Sequence, residues 1–494
     1  MNALSVKAID FIRQPKQMLI NGRWESAASG KLFPVTNPAT GETIAHAAEG
    51  DKADVDKAVK AARAALESKV WAAMTPSDRG KLVWRIGDLI LKYADELAEL
   101  EALDNGKPVT VARSADVALA ADIFHYMAGW ATKLHGLTIP ISISGGNFHS
   151  YTRLEPVGVV GQIIPWNFPL LMAAWKLAPA LTTGCTVVLK VAEETPLSAL
   201  RLGEIMLEAG LPDGVVNIIT GFGETAGAAL AAHPMVDKIA FTGSTDVGRL
   251  IVNAAAGNLK KVTLELGGKS PNIVLKDADL DVAIPGAANA IFFNHGQCCV
   301  AGSRLYVDHD IFDEVAEGVA DIAKKIVLGS GLDPQTQMGP LVSDIQLNRV
   351  CGFLDSGFQE GAKALSGGKK REGAGYFVEP TVLVDTTPQM KVVREEIFGP
   401  VVVAMPFKDV DEKIIQQAND SIYGLAAGVW TRDVGKAHKI AHQLKAGTVW
   451  VNCYNVFDAA LPFGGYKQSG WGREMGAAVL THYTESKAIT INIG

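Results

Sequence analysis

The sequence predicts an α/β fold whose centre is a doubly wound, five-stranded parallel sheet. From residue 157 onward, short β-rich runs alternate with segments of helical pattern, which is typical of parallel strands joined by crossover helices. The five predicted strands are Val157–Ile164, Thr186–Leu189, Val215–Ile218, Lys238–Phe241 and Val262–Glu265. A second α/β unit and a small β arm complete the predicted architecture.

The size and composition of the chain agree with this fold. Its 494 residues exceed what one hydrophobic core organises, so two or three domains are expected. With 48% hydrophobic and 20% charged residues, the whole chain is expected to fold. The formal net charge is −7 and the longest basic run is Lys369–Arg371, so a nucleic-acid partner is not expected.

The cysteines and the apolar segments bear on the compartment. Five cysteines, with Cys298 and Cys299 adjacent, are expected to be free thiols in a reducing compartment, which indicates a cytoplasmic protein. The N-terminal segment lacks the apolar core of a signal peptide. The uncharged stretch Val157–Trp175 contains Pro165 and Pro169, so we interpret it as a buried strand and loop and expect no membrane partner.

Helical periodicity and capping residues predict the helices before and within the sheet. One helix is predicted over Asp51–Ser68, and a second begins at Thr75 and ends at Asn105. We interpret both as structural. Between the second and third strands, Thr195 is expected to cap a helix that Gly210 ends.

A glycine-containing turn follows the fourth strand. The segment Gly243–Gly248, GSTDVG, opens a helix, so its backbone amides and the positive helix end are expected to face a pyrophosphate. It departs from GxGxxG, and alone it also fits an ordinary strand-to-helix turn. Its position within the alternation of strands and helices favours a nucleotide-binding core.

The second α/β unit begins after Gly267. Helices are predicted near Asp279–Asn294 and Ile311–Val327. Its further strands are predicted near Phe377–Val384, Val401–Phe407, Ala427–Thr431 and Gly447–Asn452. No long linker separates the two units, so we expect the functional site in the crevice between them.

The loop Asn294–Arg304, NHGQCCVAGSR, holds the candidate nucleophile, Cys299. A thiolate attacks carbonyl carbon, so we expect a polar, accessible site with donors nearby and, at Gly296 and Gly302, a flexible backbone. A small, buried, inert cysteine is the alternative. His295 suggests a cysteine–histidine dyad, but Gly296 interrupts any helix that would align the two side chains. No cluster has metal-ligand spacing, so no metal is expected.

Four further motifs stand in a definite order with the cysteine loop. They are PWNFP at Pro165–Pro169, FTGSTDVG at Phe241–Gly248, LELGGK at Leu264–Lys269 and EEIFGP at Glu395–Pro400. With these five motifs the chain resembles the NAD(P)-dependent aldehyde dehydrogenase superfamily from about Ile20 to the C-terminus, and most of all its phenylacetaldehyde and broad-specificity members. Five motifs in the right order and spacing are hard to obtain by chance.

The resemblance implies an aldehyde dehydrogenase-like division of the chain into three parts. These would be an NAD-binding domain (1–137 and 157–266), a catalytic domain (267–465) and a small β oligomerisation arm (138–156 and 485–494). Ile489, Ile491 and Ile493 alternate with polar neighbours, and an unpaired strand of that pattern would be a sticky edge, so we expect it to pair across a subunit interface. Arms of this type build dimers and tetramers in the family, which implies a homotetramer that is a dimer of dimers.

NAD is the cofactor that the resemblance implies. Lys190 and Glu193 follow the second strand and match the family residues that hold the adenosine ribose, although by pattern alone they could be solvated surface charges. A carboxylate at Glu193 accepts from a 2′-hydroxyl but repels a 2′-phosphate, which favours NAD over NADP. Glu396 resembles the residue that binds the nicotinamide ribose. The implied cofactor-binding residues are Ile164, Trp166, Lys190, Glu193, Gly223, Gly243, Ser244, Gly248, Leu266, Glu396 and Phe398.

The resemblance also implies the catalytic roles. Cys299 would add to the aldehyde, and the Asn167 amide with the Cys299 backbone N–H would stabilise the alkoxide by roughly 10²–10³-fold per donor. Hydride transfer from this thiohemiacetal would leave a thioester. Glu265, at the end of the fifth strand, matches the general base that activates water to hydrolyse it. Glu474 resembles a second carboxylate in the proton path.

The substrate is expected to be an apolar aldehyde. The positions that line the aldehyde tunnel in relatives correspond to Leu119, Phe168, Met172, Trp175, Phe293, Phe457, Asp458 and Phe463. Their aromatic character favours phenylacetaldehyde. The segment Val451–Tyr466 has no Arg or Lys, which disfavours semialdehydes and phosphorylated aldehydes. Asp458 could attract a cationic choline-type aldehyde, so betaine-type and aliphatic aldehydes stay open as alternatives.

Two other classes of protein compete with this prediction. A thiol esterase or CoA-acylating enzyme would use the same cysteine, and a non-catalytic structural protein would keep only the fold. Every motif residue of a dehydrogenase is present, which argues against a retired enzyme. Glu265 argues for water rather than CoA as the acyl acceptor.

Overall fold

The structure, a computed structural model, describes residues 4–408 and 412–494. The described α-helices are, in chain order, α1 (Val6–Arg13), α2 (Lys52–Glu67), α3 (Lys69–Ala72), α4 (Pro76–Lys92), α5 (Ala94–Asp104), α6 (Val109–Val111), α7 (Ala118–Ala128), α8 (Pro169–Thr183), α9 (Leu197–Glu208), α10 (Ala228–Ala232), α11 (Thr245–Ala255), α12 (Leu280–Phe292), α13 (Phe312–Lys325), α14 (Asp344–Gln359), α15 (Lys391–Arg394), α16 (Glu412–Asn419) and α17 (Val434–Gln443). The described strands are β1 (Met18–Ile20), β2 (Arg23–Glu25), β3 (Leu32–Asn37), β4 (Glu42–Ala48), β5 (Phe148–Pro156), β6 (Val159–Ile163), β7 (Thr186–Lys190), β8 (Val216–Ile219), β9 (Lys238–Thr242), β10 (Lys261–Glu265), β11 (Pro271–Val274), β12 (Arg304–Asp308), β13 (Lys363–Ser366), β14 (Thr381–Val384), β15 (Val401–Phe407), β16 (Ala426–Trp430), β17 (Thr448–Val451), β18 (Gly470–Trp471) and β19 (Thr484–Asn492).

The first sheet has the strand order β18-β10-β9-β6-β7-β8-β1-β2. Its central five strands, β10 to β8 in that order, are parallel and are the five predicted ones. The chain winds outward from β6 in both directions, so the predicted doubly wound α/β fold is confirmed. Antiparallel β1, β2 and β18 extend the sheet to eight strands.

The core of the first sheet lies on both of its faces. Neighbouring residues along one strand, such as Val159 and Val160, pack into different hydrophobic clusters. Helices α2, α10 and α11 contribute to one cluster, and α4, α5, α7, α8 and α9 contribute to the other. A sheet covered on both faces needs continuous apolar strands, which explains why these strands read clearly in the sequence.

The second sheet has the order β13-β14-β15-β12-β11-β16-β17, and its strands are parallel except for β13. The sequence predicts β14 to β17 of this sheet but not β11, β12 or β13, and it does not predict α14. Strand β11 is only four residues long, and it begins at a proline that follows the irregular segment 266–270. Such a short run has no periodicity that distinguishes a strand from a loop.

The helix ends agree with the predicted capping residues at all positions but one, but the single helix predicted from Thr75 to Asn105 is wrong: it is divided at Tyr93 into α4 and α5. Asp51 caps α2 with a capping box, and Thr75 caps α4. Thr195 does not cap α9, so that prediction is wrong: the first residue, Leu197, donates its N–H to Asp104 Oδ2 at 2.9 Å instead. The Thr195 hydroxyl is directed at the carbonyl of Trp166.

The C-terminal strand β19 pairs with β5 of the same chain over nine residue pairs, from Thr484 with Pro156 to Asn492 with Phe148. One edge of β19 is therefore paired within the chain, and the expected pairing across a subunit interface stays a prediction that concerns its other edge. The other edge of β19 meets no strand in the described ranges. Ile491 and Ile493 remain exposed there.

None of the helices within residues 4–408 and 412–494 has the length and apolar character that crossing a bilayer requires. The uncharged stretch Val157–Trp175 forms β6, a loop and the first half of α8, and all but a few of its residues are buried.

Candidate active site

A cavity of about 560 Å³ is lined by the ends of β9 and β10 of the first sheet and by loops and helices that include those connecting the strands of the second sheet. It lies at the carboxyl ends of β6 and β9, where the winding direction reverses and where open α/β sheets bind ligands. Of the predicted site residues, those that line it are Cys299, Glu265, Asn167, Trp166, Gly243, Ser244, Leu266, Glu396, Phe398, Leu119, Phe168, Met172, Trp175, Phe293, Phe457 and Phe463. Those outside it are Glu474, Ile164, Lys190, Glu193, Gly223, Gly248 and Asp458.

The cysteine loop reverses direction sharply after α12. Asn294, His295 and Gly296 have φ values of 48°, 61° and 67°, so three consecutive residues are left-handed. At Gly296 a Cβ would lie 2.0 Å from the carbonyl oxygen of Gly399. Only glycine lets this turn rest against the loop that carries Glu396, and the predicted need for glycine here is explained by this close approach.

The environment of Cys299 differs from the polar, donor-rich site that we expected. Its hydrogen bond with Cys298, its burial and the nearby charges of Cys298, Glu396 and Glu265 raise its pKa well above the usual range. These effects favour the neutral form of the thiol. As the candidate nucleophile, Cys299 therefore needs a base.

Asn167 lies in the loop between β6 and α8, against the cysteine loop. Its Nδ2 donates to the carbonyl oxygen of Gln297 at 3.1 Å, and its side chain is buried. A side-chain amide has two N–H donors, so one remains for a ligand in the cavity. The geometry suits a donor beside Cys299.

Glu265 ends β10 and is a buried carboxylate without a partner. Neither of its oxygens has a hydrogen bond within the described structure. Burial and, next, the charge of Glu474 raise its pKa well above the usual range. A carboxylate with a raised pKa in a cavity has the properties of a general base.

Glu474 lies behind Glu265, outside the cavity. Its Oε1 accepts from Lys176 Nζ at 2.6 Å, and both side chains are buried. Its Oε2 has no partner among the described residues. It therefore influences Glu265 by its charge and is not placed to touch a ligand in the cavity.

Glu396 and Phe398 lie on a loop opposite Glu265. Glu396 Oε1 accepts from the backbone N–H of Gly268 at 2.8 Å, and burial raises its pKa to about 7. Phe398 has a φ of 60° and contacts the Trp166 ring edge-on, with the ring centroids 5.2 Å apart. A non-glycine residue in this region is strained, which is common at functional sites.

Sequence reasoning missed the residues of α14 that hold this loop. Gln346 Nε2 donates to the carbonyl of Phe398 at 2.6 Å, and Arg349 Nη2 donates to the carbonyl of Glu396 at 2.7 Å. Both also line the cavity. The signal was available, because Ser343 caps a run with helical spacing from Asp344 onward.

The predicted nucleotide-binding residues follow the carboxyl edge of the first sheet. Ser244 caps α11, and Gly248 lines a neighbouring cavity of about 480 Å³ beside that helix. Lys190 ends β7 and donates to Glu193 Oε2 at 2.5 Å. Ile164 follows β6, and Gly223 starts a π-helical turn after β8. The structure thus places four of the predicted residues along the sheet edge rather than in the main cavity: Ile164, Lys190, Glu193 and Gly223.

The predicted substrate residues that line the cavity form an aromatic wall. Phe168 stacks with Phe293 at a centroid distance of 6.1 Å, and Trp175 contacts Phe463 edge-on at 5.1 Å. Phe457 lies 6.0 Å from Phe463. Asp458 does not line this cavity: it is exposed, and its Oδ1 accepts from the N–H of Ala460.

His295 is not placed as a base for Cys299. It is buried, its Nδ1 lies 3.4 Å from Gln297 Nε2, and it does not line the cavity. Burial lowers its pKa to about 3, so it is neutral. The structure disfavours the cysteine–histidine dyad for the reason that the sequence suggested, the left-handed turn at Gly296.

Comparisons with known proteins agree with this geometry. The family model described as "Aldehyde dehydrogenase family" matches residues 24–489. DhaS of Bacillus subtilis (strain 168) is 56% identical over 98% of this chain and 97% of its own length. Two solved structures superpose closely. The NAD+ complex of aldehyde dehydrogenase from Bacillus cereus has a TM-score of 0.98 and 52% identity, and covers 100% of this chain and 99% of that one. Betaine aldehyde dehydrogenase from Staphylococcus aureus, in complex with NAD+, has a TM-score of 0.96 and 42% identity, and covers 98% of this chain and 97% of that one. The chain belongs to the aldehyde dehydrogenase family, as its five motifs predict.

Proposed function

We propose that this aldehyde dehydrogenase oxidises an apolar, ring-bearing aldehyde to its carboxylic acid with NAD, and that phenylacetaldehyde is its best substrate. The observation that carries the proposal is the aromatic wall of Phe168, Trp175, Phe293, Phe457 and Phe463 in the same cavity as Cys299. Such a wall buries an apolar ring and offers no charged partner to a polar one.

The first chemical step is the addition of Cys299 to the aldehyde. Because the resting sulfur is a thiol, it must lose its proton, and Glu265 is the unpartnered carboxylate in the same cavity that receives it. The alkoxide that forms accepts from the free N–H of Asn167 and from the backbone N–H of Cys299. NAD, when bound, accepts the hydride, and the product at Cys299 is a thioester.

Glu265 then activates the water that hydrolyses the thioester. Its raised pKa makes it a stronger base than an ordinary carboxylate, while its position keeps it near Cys299. Lys176 and Glu474 form the ion pair behind it, which suits them to pass the released proton onward. This arrangement supports water, rather than CoA, as the acyl acceptor.

NAD is the cofactor of this enzyme, and the described residues fit it. The N-terminus of α11, capped by Ser244, offers backbone N–H groups to a pyrophosphate. Glu193 and Glu396 supply carboxylate acceptors for ribose hydroxyls at two separated points of the crevice. Lys190 holds Glu193 in place by its ion pair.

Betaine-type and aliphatic aldehydes are the alternative substrates. One similar structure is a betaine aldehyde dehydrogenase. A cationic aldehyde would be stabilised by aromatic faces, but Asp458, the carboxylate expected to attract it, does not line the main cavity. It is exposed and lines a small neighbouring cavity with Leu119, Trp175 and Phe457. The absence of this carboxylate from the main cavity favours a neutral ring as the substrate.

We further propose a cytoplasmic homotetramer, a dimer of dimers. All five cysteines are free thiols, which suits a reducing compartment. The unpaired edge of β19, with exposed Ile491 and Ile493, supports an interface along the arm.

The test is to follow cofactor reduction with a panel of phenylacetaldehyde, benzaldehyde, hexanal, betaine aldehyde and succinic semialdehyde. The highest kcat/KM is expected for phenylacetaldehyde, and a higher value for betaine aldehyde would overturn the substrate assignment. Product analysis with CoA present should show free acid, whereas acyl-CoA would identify an acylating enzyme.

The Cys299→Ala variant is the companion measurement. It should lose aldehyde oxidation but still bind NAD, because the thiol carries the covalent step and not the cofactor. Cys298→Ala, which removes the adjacent thiol, should be far milder. Turnover retained by the Cys299 variant would place the nucleophile elsewhere.

A further inference from the structure

A buried ionic cluster lies directly behind the Asn167 loop. Lys107 is fully buried and contacts the carboxylate of Asp116 and that of Glu101, the latter at 3.5 Å. A buried ammonium is costly unless it is paired and hydrogen-bonded. Because this buried charge lies next to the candidate oxyanion donor, we consider a role for Lys107 beyond stabilising the core.

Lys107 also binds the backbone of the active-site loop. Its Nζ donates to the carbonyl oxygen of Asn167 at 3.2 Å and lies 4.5 Å from the centre of the Phe168 ring. The same carbonyl accepts from Asn294 Nδ2 at 3.0 Å and from Asn105 Nδ2 at 3.4 Å. The side chains of Lys107, Asn294 and Asn105 thus fix the peptide group between Asn167 and Phe168.

The two carboxylates that pair with Lys107, those of Glu101 and Asp116, connect it to further elements around the Asn167 loop. Glu101 Oε1 accepts from the backbone N–H of Leu170 at 3.0 Å, which fixes the first turn of α8 just after the loop. Asp116 belongs to a π-helical segment, Ala112–Val117, and itself lines the cavity. π-Helical turns are rare and are frequently found at functional sites.

We infer that Lys107 is a positioning residue for the oxyanion donor: with Asp116 and Glu101 it holds the Asn167 peptide so that the free amide N–H points at the alkoxide oxygen. This inference rests on the oxyanion role proposed above for Asn167. The segment that carries Lys107 follows α5, one of the helices that the sequence suggested to be only structural.

A double-mutant cycle tests the inference. Rapid mixing of enzyme, NAD and aldehyde gives the rate constant of the first NADH formation for wild type, Lys107→Met, Asn167→Ala and the double variant. Lys107→Met is expected to slow this step by roughly tenfold to a hundredfold, as a misplaced donor does. In the Asn167→Ala background the same change should cost less than about twofold, because its target is already gone.

The possible outcomes separate the two proposals. If Asn167→Ala leaves the rate unchanged, the oxyanion role fails and this inference fails with it. If Asn167→Ala slows the reaction but the two losses multiply, Asn167 keeps its role and Lys107 does not act through it. A direct effect of the Lys107 charge on the alkoxide would give this multiplicative result.

Lys107→Met leaves two carboxylates without their cation and could prevent folding. The variant Lys107→Met/Asp116→Asn removes the charge on both sides and serves as the second probe. A folded form of it with wild-type rates would overturn the inference. Lys260→Met is the matched control, since Lys260 is a buried lysine that donates to the carbonyls of Ala231 and His233 far from the cavity. It should lower Tm without changing the rate of the first NADH formation.

Discussion

At the scale of single residues, the most consequential side chain is the unpartnered carboxylate of Glu265. Burial raises its pKa, so the folded state retains a proton at pH values where the unfolded chain has lost it. A raised pKa means that the folding free energy it contributes is present at low pH and is lost as pH rises through the folded-state pKa. At neutral and alkaline pH, Glu265 therefore lowers the unfolding free energy of the protein but is a stronger base than an exposed carboxylate.

The variant Glu265→Gln should change both the kinetics and the stability of the enzyme. The first hydride transfer should slow, because Cys299 has lost the group that takes its proton, and hydrolysis should stall even more, so NADH still accumulates to about one per active subunit before turnover nearly stops. We expect kcat of the wild type to rise with pH as Glu265 loses its proton, and this rise should be absent in the variant. The variant should be more stable than wild type by about 1–3 kcal/mol above the folded-state pKa, with no gain near pH 4. Stopped-flow absorbance and thermal unfolding against pH measure these effects, and equal stability at every pH would show that the carboxylate is not desolvated.

Glu193 sets the expected preference between NAD and NADP. A 2′-phosphate beside its carboxylate would cost on the order of 1–4 kcal/mol at intermediate dielectric, although Lys190, 2.5 Å from Glu193 Oε2, opposes this by attraction. We expect the carboxylate to dominate. Glu193→Gln should therefore raise kcat/KM for NADP and lower it for NAD.

The control for this change is Glu208→Gln, which breaks a similar lysine–carboxylate pair with Lys92 at the surface, far from the cavity. It should leave both kcat/KM values unchanged. A ratio of NAD to NADP that stays constant in Glu193→Gln would show that this carboxylate does not reach the ribose.

At the scale of elements, the cysteine loop depends on one glycine. Gly296→Ala would place a Cβ 2.0 Å from the Gly399 oxygen in a residue whose φ is 67°. Left-handed backbone alone costs an L-residue roughly 1–2 kcal/mol, and the clash adds to it. We expect a loss of about 3 kcal/mol or more in unfolding free energy and near-complete loss of activity.

Gly352→Ala in α14 is the matched control, and it is expected to raise the unfolding free energy where Gly296→Ala lowers it. Nothing lies within 4 Å of the Cβ that it would add, and alanine favours helix over glycine by roughly 0.5–1 kcal/mol. Urea titration should show it slightly stabilised. If both glycine variants unfold alike, the close approach at Gly296 is not what the loop requires.

The elements that could be predicted from sequence are those with a strong local pattern. The five parallel strands of the first sheet are buried on both faces and are bounded by turn residues, so they read correctly. Strands β11 and β18 are too short for any periodicity and are recognised only through their partners.

At the site, too, the residues that belong to local motifs could be predicted, whereas the effects of residues distant in sequence could not. The motifs and the family resemblance bring Cys299, Asn167 and Glu265 to one cavity. The raised pKa of Cys299 and the hold of Lys107 on Asn167 arise from groups distant in sequence, and no local pattern records them. The catalytic roles and the domain boundaries stay predictions.

At the scale of the whole molecule, the arm formed by β5 and β19 is the part suited to assembly. Deleting residues 484–494 would leave all nine residues of β5 without their partner. The variant is expected to form smaller or irregular oligomers rather than tetramers, because an unpaired edge remains exposed. Light scattering after size-exclusion chromatography measures this, with deletion of residues 493–494 alone as the control. A wild-type mass after the longer deletion would place the interface elsewhere.

The return of β18 to the first sheet has a consequence for how the protein is made. Its residues Gly470 and Trp471 pair with Glu265 and Leu264, and Ser469 accepts from the backbone N–H of Leu266. At about 5–20 residues per second, a ribosome releases this cover roughly 10–40 s after β10 has been synthesised. Throughout that interval β10, the strand that ends in Glu265, has an open edge, available to chaperones or to another nascent chain. The first sheet therefore cannot be completed until the strands of the second sheet, which lie between β10 and β18 in sequence, have been translated.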